Sequence, residues 1–557
     1  SFNTVYASFD IWKGIKFAST FSYDFVMNKS RAWKDPRTSD GDDDNGRFSK
    51  DYNDITNMTW SNILTYQTKI KKKHNLDLLA GYEINSKESD GLGTTISNFA
   101  RWDKPEVNNG VVYQSMGGSN STTRIVSYIT RANYDYDNKY YLGASWRTDG
   151  SSRLARENRW GNFWSLSGAW RVSSESFMKP LQNWLSDLKL RVSYGVNGTL
   201  PSSYYGYMGL SSLTSNYNDN PGITQSQLEN KELTWETNYN FNSGIDLGFF
   251  DNRLNVTFEY YVRTTKNLLY SRPLSLATGF SSYLANIGKL QNKGYELEIR
   301  STNIETKDFR WSTSLNLGHN ANKILKLDGD LKQVTSGTSI HKVGLPYSTY
   351  YMIEFAGIDP VDGEPMFYKN TTDENGNLNK ETTKDPRSAE KVILQCADPS
   401  ITGGLGNSIS YKWFDLNFNV NFSFGAWNYD GAAGKLEHGG DGTLNIPIYY
   451  RKRWQKEGDE TSIERFVVGR SISMTDYATT RRLYSGDYVR LKNLTFGFTL
   501  PKTWTRKVGI DNIRLYAPGN NLLTWAAYDY IDPESGSSPS WDTPPMRTYT
   551  FGLEVKF

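Results

Sequence analysis

The sequence contains no long hydrophobic run. Only 37% of its 557 residues are hydrophobic, and its mean hydropathy is -0.63. A helix that spans a membrane needs about 20 consecutive, mostly apolar residues, and no segment of this chain approaches that length. This absence excludes a bundle of membrane-spanning helices.

Cysteine, histidine and catalytic motifs are also scarce. Cys396 is the single cysteine, which excludes an intrachain disulfide framework, and the four histidines form no Cys/His pattern typical of a zinc site. The chain has no GxSxG, HExxH or phosphate-binding glycine loop, so we predict that it is not an enzyme. Basic and acidic residues nearly balance, 63 against 60, which gives no electrostatic case for nucleic acid as a partner.

What the sequence does have is aromatic residues in regular alternation. Aromatic residues make up 14% of the chain. In 414–424, FDLNFNVNFSF, every second residue from the first is apolar, and the same pattern recurs in 15–27, 254–263, 293–300 and 547–557. Side chains alternate faces along a strand. Runs of about ten residues can cross a bilayer as tilted strands, whereas strands of globular proteins typically have about five or six residues.

The connections between these predicted strands differ sharply in length. Tight links at Lys13-Gly14, 71–74, 137–139, 249–253, 304–308 and 411–413 contrast with long excursions at 29–53, 87–121, 200–233, 323–398 and 428–486. One further link, 173–187, is typical of a short helical turn. Short turns on one side and long loops on the other indicate an outer-membrane barrel, an asymmetry that a soluble glycan-binding sandwich has no reason to keep. We therefore predict an all-β fold, a transmembrane antiparallel β-barrel with long extracellular loops and short periplasmic turns.

The number of alternating segments predicts about 17 strands. The first strand runs into a short turn and the last ends the chain on the same side, so both descend toward the periplasm. Complete bacterial barrels have an even number of strands. An odd count therefore predicts that residues 1–557 are the C-terminal part of a barrel whose earlier strands lie outside this chain.

Aromatic residues in the long loops are the candidates for ligand contact. Aromatic faces beside Asn, Asp and Gly can stack against a polar ligand and hydrogen-bond to it. The alternative is an aromatic girdle at the level of the lipid head groups, or ordinary loop packing. The predicted ligand-binding residues are Tyr204, Tyr205, Tyr207, Tyr350, Tyr351, Trp427, Tyr429 and Tyr449.

An acidic loop, SDGDDDNGR at 39–47, raises the question of a metal ion. Asp40, Asp42 and Asp44 place carboxylates at alternate positions, but the loop lacks the glycine placement and the terminal glutamate of an EF-hand. The sequence predicts no cofactor. A structural calcium ion in an extracellular loop is the weaker alternative to an ordinary solvated loop.

The last residues, RTYTFGLEVKF, match a sorting pattern. Thr550, Gly552, Val555 and the terminal Phe557 fit the order polar-x-Gly-x-x-apolar-x-aromatic. This resembles the signal by which outer-membrane barrels engage the barrel-assembly machinery. The resemblance implies that these four residues are an assembly signal and that the machinery is a partner.

Several longer segments point to one family. They are RTDGSSRLARENRWGNFWSLSGAWRVSSESFM (147–178), LRVSYGVNGT (190–199), GIDLGFFDNRLNVTFEYYVRTTKNLL (244–269), GIDPVDGEPMF (357–367), SGDYVRLKNLTFGFTLPK (485–502) and LYAPGNNLLTW (515–525). In order and over nearly the whole chain, these segments resemble the SusC/RagA family of TonB-dependent transporters of Bacteroidetes-type outer membranes.

The resemblance implies a barrel of about 22 strands with a plugged lumen, embedded in the lipid of a bacterial outer membrane. It implies TonB-dependent active import of a large nutrient, with a SusD-like surface lipoprotein as partner. The preferred substrate is an oligosaccharide, and an oligopeptide is the alternative. TonB–ExbB–ExbD would act through a plug, a TonB box and an N-terminal extension, all expected outside this chain. A passive porin-type channel is the alternative function.

Overall fold

The computed structural model describes residues 1–218, 220–327, 329, 331–374, 376–440, 445–469, 477–535 and 544–557. Strands dominate these residues. In the first part of the chain they are β1 (Phe2–Trp12), β2 (Ile15–Lys34), β3 (Arg47–Ile70), β4 (His74–Phe99), β5 (Gly110–Tyr136), β6 (Tyr140–Ser151), β7 (Trp160–Arg171), β8 (Leu185–Thr199), β9 (Leu210–Tyr217), β10 (Asn220–Gln227), β11 (Glu236–Phe249), β12 (Leu254–Lys266), β13 (Leu269–Pro273), β14 (Ser282–Asn286), β15 (Lys289–Glu305) and β16 (Phe309–Lys326).

The second part of the chain mixes long strands with short ones. They are β17 (Gln333–Ser336), β18 (Ser339–Lys342), β19 (Thr349–Ile353), β20 (Phe355–Ile358), β21 (Pro365–Tyr368), β22 (Thr382–Thr383), β23 (Lys391–Cys396), β24 (Ile401–Tyr411), β25 (Phe414–Phe424), β26 (Trp427–Tyr429), β27 (Leu483–Ser485), β28 (Tyr488–Thr499), β29 (Asn512–Ala526), β30 (Thr548–Tyr549) and β31 (Gly552–Lys556).

The helices are short. They are α1 (Gly431–Leu436), α2 (Lys502–Thr505) and 3₁₀ turns at Val107–Asn109, Arg156–Asn158, Val172–Ser174, Ser176–Leu181, Leu276–Thr278, Pro386–Ser388, Ile448–Lys452, Thr480–Arg482, Arg506–Val508 and Pro533–Ser535. Within the described residues, no helix has the length and apolar character needed to cross a membrane.

The long strands belong to a single antiparallel sheet. In the part of the chain that the structure describes, the sheet has 18 strands, namely β1 to β8, β11, β12, β15, β16, β24, β25 and β28 to β31. Its last two segments, β30 and β31, both pair with β29 and are two halves of one strand. The sheet therefore agrees with the predicted count of about 17 strands, and the all-β antiparallel prediction is confirmed.

The chain folds as two compact units. The first comprises Ser1–Arg171, Arg191–Phe241 and Thr264–Gly288, and the second comprises Val172–Leu190, Asn242–Arg263 and Lys289–Phe557. In the first unit, β1 to β7 form a meander in which each strand pairs with the next. In the second, β15, β16, β24, β25, β28, β29 and β31 pair in that order.

Tight turns join neighbouring long strands where the sequence predicts them. Lys71 and Lys72 have φ angles of 49° and 60°, and Asp137 and Asn138 have φ angles of 55° and 54°. Two successive left-handed residues form the turn whose twist suits an antiparallel hairpin. The segment 173–187 contains 3₁₀ turns, as predicted.

The prediction of long loops at 29–53 and 87–121 is wrong for much of both ranges, because most of these residues lie in paired strands. β2 and β3 stay paired as far as Lys34 and Arg47, and the ladder between β4 and β5 runs on to Phe99. Backbone hydrogen bonds hold a strand pair together whether or not one of its faces is apolar. The apolar alternation therefore fades before the strands end, and the sequence pattern underestimates their length.

Both units expose the apolar face of their strands. In the first unit Leu142 is 61% exposed and Leu166 is 56% exposed, and in the second Leu553 is 62% exposed. The opposite faces carry polar residues such as Asn133 and Asn419. A soluble sandwich would bury its apolar face in a core. The exposed apolar faces are those expected of strands in lipid.

Small apolar cores anchor the long loops. In the first unit, Leu154 and Leu233 are fully buried beside Phe163 and Trp235, whose rings meet edge to face at 5.3 Å. Such a core holds the neighbouring loop backbone in place, so the loop side chains have defined positions.

Candidate functional site

One polar surface of the second unit is built from asparagine and glycine. Gly404 on β24 lies directly opposite Asn316 on β16 and Asn421 on β25, and Gly406 lies opposite Asn419. Directly opposed residues point to the same side of a sheet, so these positions share one face. We call this surface the asparagine groove, and its members are Asn316, Gly404, Gly406, Asn417, Asn419, Asn421 and Asn493.

The asparagine groove is a depression because its central strand carries glycines. A Cβ at Gly404 would lie 2.8 Å from Oδ1 of Asn316, and one at Gly406 would lie 2.6 Å from Oγ of Ser314. The neighbouring side chains thus lie over bare backbone. Three adjoining recesses of about 340, 470 and 470 Å³ follow the groove. Glycine inside a strand often marks a place where a ligand or another backbone comes close.

The groove offers both hydrogen-bond donors and acceptors. Nδ2 of Asn419 donates to Oδ1 of Asn493 at 2.8 Å, and Nε of Arg300 donates to Oε1 of Glu298 at 2.5 Å. An asparagine amide has two donor hydrogens and a carbonyl acceptor. The hydroxyls or amides of a ligand can therefore replace the present hydrogen-bond partners of these side chains. The chemistry that the groove supports is binding of a hydrated polar molecule.

A second feature of this unit is a row of tyrosine rings in its loops. Tyr484 stacks on Tyr528 with ring centroids 3.8 Å apart. Tyr528 and Tyr449 each lie 5.3 Å from Tyr530, and Tyr449 lies 5.9 Å from Tyr450. Aromatic pairs at these separations attract one another beyond their buried area. Five rings from three separate loop segments thus form one continuous row.

Carboxylates accept hydrogen bonds from three of these phenols. Tyr449 donates to Oε1 of Glu437 at 2.5 Å, Tyr450 to Oε1 of Glu464 at 3.0 Å, and Tyr528 to Oδ2 of Asp430 at 3.0 Å. Burial raises the pKa of all three phenols, and the neighbouring carboxylate charges raise it further. We call these rings and acids the tyrosine–carboxylate cluster, with members Asp430, Glu437, Tyr449, Tyr450, Glu464, Tyr484, Tyr528 and Tyr530.

Two arginines compensate the charge of the buried acids. Arg481 forms an ion pair with Glu464, whose side chain is 0% exposed. Nε of Arg481 also lies 3.5 Å from Oε2 of Glu437. Nε of Arg482 lies 3.3 Å from the same Glu437 carboxylate. Burial opposes the charge on Arg481, but the two glutamates outweigh it and raise the pKa of the guanidinium. A buried charge persists only when it is paired in this way.

Short elements hold the cluster in place. β26 pairs with β27, and Asn428 lies directly opposite Tyr484. Oδ1 of Asp430 accepts a hydrogen bond from the Ala433 backbone N–H at 2.7 Å, which caps α1. The other carboxylate oxygen of Asp430, Oδ2, accepts the hydrogen bond from Tyr528. Burial and the charge of Asp430 together raise the pKa of the Tyr528 phenol.

Four of the predicted ligand-binding residues lie in or beside this cluster. Tyr449 is a member, and Trp427 and Tyr429 are the end residues of β26. Burial raises the pKa of Tyr484, and the charges of Asp430 and Tyr350 raise it further. Tyr350 itself is only 3% exposed. Tyr351 lies instead in β19, opposite Ile393.

The three predicted tyrosines of the first unit serve its packing. The Arg153 guanidinium lies 4.3 Å from the ring centroid of Tyr204. The hydroxyl of Tyr205 accepts a hydrogen bond from the Thr122 backbone N–H at 3.0 Å, and Tyr207 packs against the apolar core. Their role in ligand binding stays a prediction.

Sequence reasoning missed most of the cluster. Tyr484, Tyr528 and Tyr530 were not among the candidates, and neither were the acids Glu437 and Glu464. The segment YDYIDPE at 528–534 does combine aromatic and acidic residues in one loop, and that combination is the signal that could have identified it.

The calcium hypothesis for the acidic loop stays a prediction. Asp40 accepts a hydrogen bond from the Thr38 hydroxyl at 2.6 Å, and Asp44 forms an ion pair with Arg47. Asp42 accepts through its backbone carbonyl from the Asn45 N–H at 2.9 Å. Among the residues that the structure describes, there is no group of three or more His, Cys, Asp or Glu side chains arranged to hold a metal ion.

The predicted assembly signal lies on the last strand. Gly552 and Val555 belong to β31, opposite Tyr516 and Ile513 of β29. The Thr550 backbone N–H donates to the carbonyl oxygen of Pro518 at 2.9 Å. Phe557 follows the strand and is 90% exposed, so its side chain is accessible to a partner.

A buried histidine in the loop region predicts a pH response. His341 stacks on Tyr347 with ring centroids 4.1 Å apart, and burial lowers the pKa of the imidazole below its ordinary 6.5. The fold therefore favours the neutral ring. The stability that this gives is present above pH 6.5 and is lost as the pH falls through the lowered pKa.

We expect hydrogen exchange in β17 and β18 to accelerate on moving from about pH 7.5 to about pH 5, after correction for intrinsic exchange. His341→Phe keeps a ring against Tyr347 but removes the titrating group, so its exchange should not change in this way. An equal acceleration in His341→Phe would contradict the prediction.

Comparison with known proteins identifies the family. Residues 2–522 match the family described as TonB dependent receptor-like, beta-barrel. TonB-dependent receptor P3 of Formosa agariphila is 32% identical over 99% of this chain and 57% of its own length. TonB-dependent receptor SusC of Bacteroides thetaiotaomicron is 30% identical over 78% of this chain and 44% of its own length. The chain thus spans about half the length of these curated relatives.

Solved structures give the same result. The structure of the RagAB peptide transporter superimposes with a TM-score of 0.88 at 27% identity, covering 100% of this chain and 61% of that chain. The prediction of a transmembrane antiparallel β-barrel in the bacterial outer membrane is confirmed, as is the resemblance to SusC and RagA. This chain belongs to the TonB-dependent receptor-like β-barrel family, and within that family it is similar to SusC and RagA.

Proposed function

We propose that the protein imports a large polar nutrient, an oligosaccharide, by TonB-dependent active transport across the outer membrane. The asparagine groove carries this proposal. Its recesses are lined by amides and hydroxyls from several neighbouring strands, and these can replace the water that surrounds a sugar. Family membership supports transport rather than catalysis.

The tyrosine–carboxylate cluster supports an oligosaccharide within the same proposal. Tyr530, the middle ring of the row, is 68% exposed, so the row is accessible at its centre. Sugar rings present C–H faces that pack on aromatic faces, and hydroxyls that hydrogen-bond to carboxylates. Ligand contact by Trp427, Tyr429 and Tyr449, which are partly exposed, would occur at this surface, whereas Tyr350 is only 3% exposed.

Oligopeptide import is the second candidate. The observation that favours it is the structural similarity to RagAB, whose structure is described as that of a peptide transporter. Backbone amides of a peptide could also pair with the asparagine groove. A passive porin-type channel remains the alternative mechanism.

Partners form part of the proposal. A SusD-like surface lipoprotein would deliver the ligand, and TonB–ExbB–ExbD would act through a plug and N-terminal region that lie outside residues 1–557. The match to 57% of the length of receptor P3 supports the interpretation of this chain as part of a longer protein. The barrel-assembly machinery would insert it through its last strand.

Uptake by cells tests the proposal. A strain without the full-length gene, and the same strain complemented with it, are given fluorescent oligosaccharide pools or fluorescent peptide pools. We expect complementation to restore oligosaccharide uptake and collapse of the proton gradient to abolish it. If complementation restores the uptake of peptides alone, the substrate is an oligopeptide and not an oligosaccharide. Uptake that survives collapse of the proton gradient would indicate a passive channel.

Filling the asparagine groove should reduce uptake. In Gly404→Leu the added Cβ lies 2.8 Å from Oδ1 of Asn316 and 3.4 Å from Oδ1 of Asn421, side-chain ends that can move aside, and 3.7 Å from the Val420 carbonyl oxygen, an ordinary contact, so the strand should still pair. The added bulk removes ligand contacts, and we expect uptake to fall about tenfold, which corresponds to about 1.4 kcal/mol of binding.

The matched control for the groove is Ser410→Leu. Ser410 lies on the same strand and the same face, opposite Asp415, but does not line the three recesses. Uptake by Ser410→Leu should stay close to that of the wild type. Equal uptake by both variants, at equal amounts of folded protein, would show that ligand does not use the groove.

A further inference from the structure

The lipid-facing surface of the first unit contains an apolar recess of about 580 Å³. Its floor is formed by Ala132 on β5, Ala144 on β6 and Gly168 on β7, and Leu142 and Val192 form its sides. Ala132 lies opposite Ala144, and Leu142 lies opposite Gly168. These positions therefore share the apolar face of the sheet. We call this depression the lipid-face recess.

Two rows of aromatic rings border the recess. At the end nearest the tight turns, Tyr140 lies 6.4 Å from Tyr136 and 6.3 Å from Trp170. At the other end, Trp164 lies opposite Trp146 and its ring lies 5.8 Å from that of a neighbouring tyrosine, Tyr194. The rows are six residues apart along β6, or about 20 Å. The recess thus lies between two rows of rings, within the apolar band.

On the turn side of the recess, the links between β3 and β4 and between β5 and β6 are basic, and the link between β7 and β8 carries both Glu175 and Lys179. Lys71, Lys72 and Lys73 form the link between β3 and β4, and Lys139 ends the link between β5 and β6. The single acid in these two links is Asp137, whose carboxylate lies 3.5 Å from Nζ of Lys73. The side chain of Leu142, on the wall of the recess, is three residues from Lys139, or about 10 Å along the strand.

We propose that the lipid-face recess binds one phospholipid of the periplasmic leaflet, with an acyl chain between the aromatic rows and its phosphate at the basic turns. The recess is continuous with the surface that contacts the membrane, so a hydrocarbon chain reaches it without leaving the bilayer. Lipid chains are as apolar as leucine, so hydrophobicity alone gives no preference for this place. The fit of the chain to the recess and the attraction between phosphate and lysine supply the preference.

Native mass spectrometry of the full-length protein, extracted from outer membranes in mild detergent, tests the proposal. We expect the wild type to retain one phospholipid. A Cβ at Gly168 has no neighbour nearer than 3.9 Å, so the backbone there accepts a side chain. Gly168→Leu places that side chain in the recess and should lower phospholipid retention about tenfold. Lys71→Gln/Lys72→Gln should lower it about threefold, and added salt should lower wild-type retention in the same way.

The matched control for the recess is Ala80→Leu. Ala80 lies on the same apolar face, opposite Thr130, and does not line the recess, so its retention should equal that of the wild type. Folding of each variant is checked by the shift of the unheated band on a denaturing gel. If Gly168→Leu does not fold, the proposal is tested by whether Lys71→Gln/Lys72→Gln and added salt lower the retention of phospholipid. Unchanged retention in the folded variants, retention of lipopolysaccharide instead, or a second copy of the chain held at this face would each overturn the proposal.

Discussion

Glu464→Ala should release the loop that carries the tyrosine–carboxylate cluster. Glu464 is fully buried and holds both the Tyr450 phenol and the Arg481 guanidinium. Without Glu464, Arg481 and Arg482 share the single carboxylate of Glu437, so one buried positive charge is uncompensated. Removing one partner of a buried ion pair costs about 3 to 5 kcal/mol. The effect should be local, because both of these partners lie in loop segments outside the long strands.

The released loop should be detectable by hydrogen exchange and by proteolysis. We expect exchange in 431–440, 445–469 and 477–485 to rise by two or more orders of magnitude in Glu464→Ala, since about 1.4 kcal/mol of lost stability is a factor of ten. The strands β24, β25 and β28 should keep their protection. Limited proteolysis should cut the variant in the same loop while the barrel remains intact.

Glu457→Gln is the control for this prediction. Glu457 lies on the same loop, but its side chain is exposed, and changes to single exposed charges are usually worth less than about 0.5 kcal/mol. Exchange in this variant should match the wild type. Unchanged exchange in Glu464→Ala would contradict the assignment of the buried ion pairs as the contacts that hold the loop.

The alternation of apolar and polar residues predicts the strands of this fold but not their full length. In 414–424 the period of two is complete, and β25 has the same bounds. The β2–β3 and β4–β5 pairs continue well past their apolar positions, since hydrogen bonds between backbones do not depend on side-chain type. An apolar pattern reports contact with lipid, and only indirectly the presence of a strand.

The candidate site was predictable only in part, because its contacts join distant segments. Asp430 meets Tyr528, and Glu437 meets Arg482, across long stretches of chain. Aromatic residues in loops indicated Tyr449 and Trp427. No local pattern shows which carboxylate each phenol will reach. The asparagine groove is similar: Asn316 and Asn421 reach Gly404 only through the register of three strands.

Gly552→Leu should prevent the last strand from pairing. Gly552 lies opposite Tyr516, and a Cβ at Gly552 would lie 2.2 Å from Cζ of that ring. The same ring contacts Arg514, whose guanidinium lies 5.2 Å from the ring centroid and forms two hydrogen bonds to Asp415 at 3.2 and 2.7 Å. The ring therefore cannot move aside without losing its contact with the Arg514 guanidinium. Overpacking of this kind costs about 1 to 3 kcal/mol, in addition to the lost strand pairing.

The amount of folded protein in the outer membrane should fall at least about tenfold in Gly552→Leu, since about 1.4 kcal/mol already gives a factor of ten. Heat-modifiable protein in membrane fractions measures this amount. The double variant Tyr516→Ala/Gly552→Leu removes the clashing ring and should recover part of the loss. A double variant no better than Gly552→Leu would show that the clash is not the cause.

Phe557→Ala separates assembly in the cell from stability. Phe557 is 90% exposed. Its removal should therefore change the free energy of unfolding of the refolded protein by no more than about 0.5 kcal/mol, as is usual for surface substitutions. The yield of Phe557→Ala in the outer membrane should nevertheless fall. The exposed terminal ring adds little to packing within the fold, but the barrel-assembly machinery can bind it. Gly552→Leu, in contrast, should lower both the yield in cells and the stability after refolding. A normal yield of Phe557→Ala in cells would remove Phe557 from the assembly signal and leave Gly552 with a purely structural role.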